Sequence, residues 1–283
     1  MIWVPPGGTA GFNWHRSNIQ GVQPVTSMGT NNPPGALNVK GAWTTILSAL
    51  EFDAYAIRIR FNASATGGTA KSLLTDVGTD PAGGVVFSVV IPDLISGPSG
   101  TWLLGLVYDY YFPLFIPAGS SVACRSQTNA AAGGANFVVM DVYGRPRDVS
   151  QLRVGTRVES YGIVSAGSSR GTIITPGTVA EGAYVTLGTT TLPVWWFQAG
   201  FSIIDGSMNG DVYHLDVASG DAPNEQILIE DMACATTGSE QIGQLLSVPQ
   251  ARDLAIGTTI RGRGQVSGVG GDTNTHVAAY GLV

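Results

Sequence analysis

Along the chain, short stretches of alternating or continuous apolar residues are separated by polar segments rich in Gly and Pro. "YAIRIRF" (55–61) alternates, with Ile57, Ile59 and Phe61 on one face and Arg58 and Arg60 on the other, the period of two that marks a half-buried strand. "GGVVFSVVI" (83–91) and "NFVVMDVY" (136–143) are continuous Val-rich runs that fit strands buried on both faces. "PLFIPAGSSVACRSQ" (113–127) predicts strand, turn, strand, because Pro117 presets one turn dihedral and Gly119 takes a positive φ without penalty. "SATGGTA", "GTDPAGG" and "NAAAGGAN" read as the loops between strands. Helical spacing is met only in "GSEQIGQLLSV" (238–248), where Ile242, Leu245 and Leu246 would share a face, and it stands as the alternative there.

The same pattern occurs twice. Gly29-Thr30 and Pro34-Gly35 match Gly171-Thr172 and Pro176-Gly177 at an offset of 142, and Gly41-Ala42-Trp43 matches Gly182-Ala183-Tyr184 at 141. Asp76-Val77 falls on Asp216-Val217 at 140, and "IPAGSSVACRSQ" falls on "LAIGTTIRGRGQ" at 138, pairing Gly119 with Gly257 and Arg125 with Arg263. "NFVVMDVYG" (136–144) then lies over "THVAAYGLV" (275–283). An offset that drifts slowly and mainly in one direction is what short deletions in surface loops leave behind, so an entire domain is duplicated. The predicted organisation is an extended N-terminal arm (1–20), module 1 (21–144), a linker (145–160) and module 2 (161–283). With about eight strands per copy joined by turns, the expected fold is all-β: two tandem jelly-roll-like β-sandwiches.

Composition agrees, with 39 Gly and 15 Pro against 12% charged residues. A net charge of −6, with no basic patch, speaks against nucleic acid as a partner. The longest apolar runs are broken by residues such as Gly105, Asp109 and Pro113, so no membrane span is expected. "MIWVPPGGTAGFNWHRS" lacks the basic start and apolar run of a secretory leader, which places synthesis and assembly in a cytoplasm. Cys124 and Cys234 have no metal-type spacing and read as two small buried apolar residues.

Catalytic signatures are missing. His15, His214 and His276 are scattered, no GxSxG elbow occurs, and no Gly-rich segment has phosphate-loop spacing. Asp205, Asp211, Asp216, Asp221 and Glu225 cluster loosely without EF-hand spacing and read as solvated turn carboxylates. Asp76 and Asp216 recur in both copies, as do Arg125 and Arg263, which points to a hydrogen-bond network serving the fold. No catalytic residue, metal or cofactor is assigned.

The aromatics carry the candidate contacts. Trp195-Trp196-Phe197 are consecutive and must point to both faces of a strand, as must "YDYYF" (108–112). Trp3, Phe12 and Trp14 lie in an irregular arm that cannot form its own core. Interfaces are enriched in such rings, so Trp3, Phe12, Trp14, Tyr110, Tyr111, Trp195 and Trp196 are the expected partner-binding residues. Stacking of a host glycan on the Trp195–Phe197 ridge is the alternative.

Lys40 to Trp43 ("KGAW"), Asp53 to Tyr55 ("DAY"), Leu73 to Gly78 ("LLTDVG") and Ile116 to Arg125 ("IPAGSSVACR") occur in the order in which a module of tailed-bacteriophage structural proteins carries them. Module 1 resembles that module. Module 2 departs from it, with Glu181 where the lysine stands and "LAIGTTIRGR" lacking the proline. The resemblance implies a non-enzymatic virion component on the particle exterior, at the tail tip and fibres or as a head decoration or spike. Its implied partners are copies of itself and other virion proteins.

Overall fold

A computed structural model describes residues 19–21, 29–64, 72–96, 108–129, 135–144, 153–203, 212–235, 242–246, 249–268 and 275–283. Residues 1–18, with Trp3, Phe12 and Trp14, lie outside the described residues. Module 1 comprises β1 (Ile19–Gly21), β2 (Thr30–Asn31), β3 (Pro34–Leu37), β4 (Thr44–Leu47), β5 (Ala56–Ser64), β6 (Leu73–Asp80), β7 (Ser88–Ser96), β8 (Tyr108–Phe112), β9 (Ser121–Thr128) and β10 (Ala135–Tyr143). Module 2 comprises β11 (Val158–Tyr161), β12 (Ile163–Val164), β13 (Arg170–Ile174), β14 (Val185–Thr189), β15 (Val194–Ile203), β16 (Val212–Ser219), β17 (Gln226–Ala235), β18 (Ile242–Leu246), β19 (Gln250–Leu254), β20 (Thr259–Val266) and β21 (Thr275–Leu282).

Pairing within each module is nested. In module 1 the outermost strands β1 and β2 pair with the last, β10; β3 and β4 pair with β9; β5 pairs with β8; and β6 pairs with β7. Module 2 repeats the scheme: β11 and β13 on β21, β14 on β20, β15 on β18 and β19, and β16 on β17. Folding such nested hairpins across two facing sheets gives the jelly roll. The chain is therefore all-β, with four sheets forming two jelly-roll sandwiches.

The expected alternation on β5 holds: Ile57, Ile59 and Phe61 are fully buried and Arg58 and Arg60 turn outward. The helical alternative at 238–248 is corrected over Ile242–Leu246, which form β18 against the edge of β15. Pairing with a waiting strand edge overrides a weak local helical pattern. The arm boundary also shifts, because Ile19 already pairs with Tyr143. The segment 145–160 is structured from Gly155, which bridges Leu114, and from Val158, which opens β11.

Duplication reaches the turns. Gly119 and Gly257 both have φ +81°, and their amides donate to Leu50 O (2.7 Å) and Thr190 O (2.9 Å). A Cβ at either position would meet open space, so alanine there suffers only the left-handed backbone. Gly119→Ala and Gly257→Ala should each lose about 1 kcal/mol in chemical denaturation, and by nearly equal amounts.

The two sandwiches share a core. One apolar cluster joins Ile57, Phe61, Tyr110 and Phe112 of module 1 to Trp196, Ala278, Tyr280 and Leu282 of module 2, while a second cluster fills module 2 alone. Residues of even number on β21 face outward from sandwich 2, opposite Val277 and Ala279, which line its interior. Tyr280 is fully buried and packs edge-on against Tyr110 (5.6 Å between ring centres) and Phe112 (6.5 Å). Its hydroxyl accepts from Ile95 N (3.0 Å) and donates to Asp93 O (3.1 Å). Module 2 thus closes module 1 at the open edge between β7 and β8.

The corresponding outer face of module 1 carries charges among its aromatic residues. There Asp141 occupies the position of Tyr280, and the ion pairs Arg58–Asp109 and Arg60–Asp141 cross the strands. The copies therefore differ on the face that module 2 turns toward module 1. A second contact ties the turn at 165–169 to module 1: Ser72 Oγ donates to Ser169 O (2.6 Å), and Gln127 Nε2 donates to Ser165 O (2.9 Å).

His276, on the same side of β21 as Tyr280, is almost fully buried. Burial, aided by the Arg170 charge, lowers its pKa from 6.5 to about 4. The unfolded chain takes up this proton near pH 6.5 and the folded chain only near 4, so stability is complete above 6.5 and falls as pH drops toward 4. Denaturation midpoints should record a loss of roughly 2 kcal/mol by pH 5 from this group, and His276→Gln should flatten that part of the profile.

Candidate functional site

The densest charge cluster occurs once in each module, at equivalent places. In both copies the Pro-Gly loop folds back tightly: a Cβ on Gly35 would lie 2.3 Å from Val39 O, and one on Gly177 would lie 2.0 Å from Ala180 O. The loop is pinned across the sheet by Gly41 N to Ser126 O and by Gly182 N to Gly264 O, both 2.8 Å. This delivers residue 40 or 181, and the aromatic three positions later, onto the central strand β6 or β16. The repeated polar stretch is thus a conserved-in-copy clamp rather than a free surface loop.

In module 1, Lys40 Nζ lies 2.7 Å from both Asp76 Oδ1 and Asp93 Oδ1. Arg125 Nε donates to Asp76 Oδ2 (2.9 Å), and its guanidinium covers Trp43 at 4.6 Å. Asp93, at φ 53°, sends its amide to Asp76 Oδ1 (3.0 Å). In module 2, Arg263 donates to Asp216 Oδ2 (2.8 Å from Nη2), covers Tyr184 at 4.5 Å and meets Glu181 Oε2 at 2.6 Å. Asp231, at φ 46°, sends its amide to Asp216 Oδ1 (2.9 Å). The network expected from the recurrence of Asp76, Asp216, Arg125 and Arg263 is present, and it acts within the fold. Sequence reading gave no role to Asp93 and Asp231; their signal, an Asp in each copy at the 138 offset, is visible only once the Asp–Arg pairs are placed.

Between the modules, a cleft of about 420 Å³ is lined by Val89 and Pro92 of β7 and by Arg157, Glu159, Tyr161 and Thr191 of module 2. The Glu159 carboxylate accepts from Tyr161 Oη (2.7 Å) and from Thr191 N (3.1 Å). Its lone pairs are committed to holding that wall. His214 Nδ1 lies 3.6 Å from Asp231, half exposed, and forms no triad with a nucleophile among the described residues.

The predicted contact residues are distributed differently from expectation. Tyr110 is fully buried with its hydroxyl donating to Ile95 O (2.6 Å), Tyr111 is buried beside Tyr143, and Trp196 is buried against the core of module 1. These three rings are corrected from contacts between chains to contacts within one: the sister module, not a sister molecule, covers Trp196 and encloses Tyr110. Trp195 is half-buried beneath the Arg153 guanidinium at 4.9 Å. Trp196 and Phe197 are both buried, so of the Trp195–Phe197 ridge only Trp195 is partly exposed. Cys124 is buried as expected, and its burial raises the thiol pKa.

Compared with known proteins, the chain matches no family model and no curated protein sequence. Among solved structures, it is similar to the N-terminal CBM22-1-CBM22-2 tandem domain from Paenibacillus barcinonensis Xyn10C at 9% identity and a TM-score of 0.27, covering 96% of this chain and 94% of that one. It is also similar to a chain of infectious bursal disease virus, Gx strain, at 13% identity and a TM-score of 0.24, covering 94% of this chain and 70% of that one.

Proposed function

We propose that the chain is a non-enzymatic building block of a tailed-bacteriophage particle, assembled in the bacterial cytoplasm and displayed on the outside of the virion. The observation that carries this reading is the duplicated charge cluster. The motifs that resemble those of phage structural modules, "KGAW", "LLTDVG" and "IPAGSSVACR", are the parts that build that clamp in module 1, with Lys40 and Arg125 on either side of Asp76. Charged residues spent on tying strands together make a rigid body suited to a particle. Surface remains for neighbouring subunits: Val85 and Val86 at the β6–β7 turn are 76% and 80% exposed, and Val179 is 91% exposed.

Mass spectrometry of gradient-purified particles from an infected host tests the proposal, with gold-labelled antibody to the folded chain locating it. The chain should be present in a fixed ratio to the major capsid protein, and the gold should decorate intact particles. A chain recovered only from the soluble lysate would contradict it.

A further inference from the structure

Module 1 carries an apolar surface that module 2 lacks. Its turn from Thr79 to Ser88 is longer than the counterpart from Ser219 to Gln226, the ends of both being fixed by equivalent strand pairs. The turn is also built rather than loose. The buried Asp80 carboxylate accepts from Ala82 N (3.0 Å) through one oxygen and from Val86 N (2.9 Å) through the other, and Gly83, at φ 72°, reverses the chain. This holds Val85 and Val86 outward, the two most exposed large apolar side chains among the described residues of module 1. Phe87 continues the surface to Trp43, with 5.5 Å between ring centres. In module 2 the residue before Gln226 is instead Glu225, paired with Arg261 at 2.6 Å, and the turn 221–225 holds no large apolar side chain.

The N-terminal arm enters at the same end of the sandwich. Ile19 pairs with Tyr143, which pairs with Ala56. Just before Ala56, Ala54 bridges Ile116, and the turn that follows Ile116 lies against the valine turn: a Cβ on Gly83 would come within 2.8 Å of Gly119 O. The eighteen residues before Ile19 extend to at most about 60 Å, against about 20 Å across a four-stranded sheet. They contain Trp3, Phe12 and Trp14 and one side chain of fixed charge, Arg16. Rings of that size gain by leaving water, and residues 81–87 offer uncharged surface within their reach. Tethering raises the concentration of the arm at the turn to about the millimolar range, well above that of a second copy in dilute solution.

We propose that the N-terminal arm folds back over its own module 1 and packs its aromatic rings on Val85, Val86 and Phe87. The inference stands apart from any role in a particle. A neighbouring subunit that reached these valines would first have to displace the arm.

Photo-cross-linking of the full chain tests this. p-Benzoylphenylalanine replaces Phe12 in one sample and Trp3 in another, and the irradiated products are sized on a denaturing gel and mapped by mass spectrometry. At least one probe should join to residues 85–87 of the same chain. Val85→Ser/Val86→Ser, at exposed positions, should keep the melting midpoint within about 2 °C and lower that yield at least about fivefold. A main product of twice the chain mass would place the arm on a second copy and overturn the inference. So would cross-links that map elsewhere in the chain or fail to form, or a yield that the double variant leaves unchanged.

Discussion

Tyr280→Ala lowers the stability of the whole chain by about 3–5 kcal/mol, the cost of emptying a large buried aromatic site that cannot collapse. The residue belongs to module 2, but most of what it supports lies in module 1. Its ring fills the space beside Tyr110 and Phe112, and its hydroxyl holds the backbone of β7 at Asp93 and Ile95. That same Asp93 carries one of the carboxylates around Lys40, so loosening it loosens the module 1 clamp. Tyr280→Phe keeps the ring and leaves Ile95 N–H and Asp93 C=O without this partner, and it should lose only about 1–3 kcal/mol. Urea denaturation monitored separately by near-ultraviolet and far-ultraviolet circular dichroism checks both values. In Tyr280→Ala the two probes should no longer coincide, because the modules come apart before each unfolds.

Asp76→Asn should cost about as much, roughly 3–5 kcal/mol, because it leaves Lys40 and Arg125 partly buried with a single remaining carboxylate between them. The counterpart substitution, Asp216→Asn, removes one of three carboxylates gathered around Arg263 and relieves their mutual repulsion as it removes hydrogen bonds. Its cost should be less than half that of Asp76→Asn. Equivalent positions in two copies of one fold would then give unequal losses, and the inequality traces to the single exchange of Lys40 for Glu181.

Much of the architecture was legible because duplication writes each constraint twice. The Gly119 turn, the Asp76–Arg125 pair and the Pro-Gly loop each have a partner about 140 residues on, and each pair has the same geometry. Alternation on β5 named its buried face correctly because that strand has one polar side. The aromatics misled for the opposite reason. Period two shows that Trp195, Trp196 and Phe197 must look both ways, but it says nothing of what covers the outer face. Here the cover is module 1, brought close by β7 and β8, and that proximity is tertiary. The clue lay in comparing copies: Asp141 and Arg58 in module 1 correspond to Tyr280 and Gln198 in module 2, charged positions turned into interior ones. In the same way, Glu181 in place of lysine was visible as a departure, yet its meaning required Asp231, placed beside it by the bulge between β16 and β17.

The central claim is that the two jelly rolls form one cooperative body through the outer face of β15 and β21. Differential scanning calorimetry of the full chain at neutral pH measures this directly. A single transition whose calorimetric and van't Hoff enthalpies agree is the predicted result. Two resolved transitions, or a van't Hoff enthalpy about half the calorimetric one, would contradict a shared core and leave two independent domains on one chain.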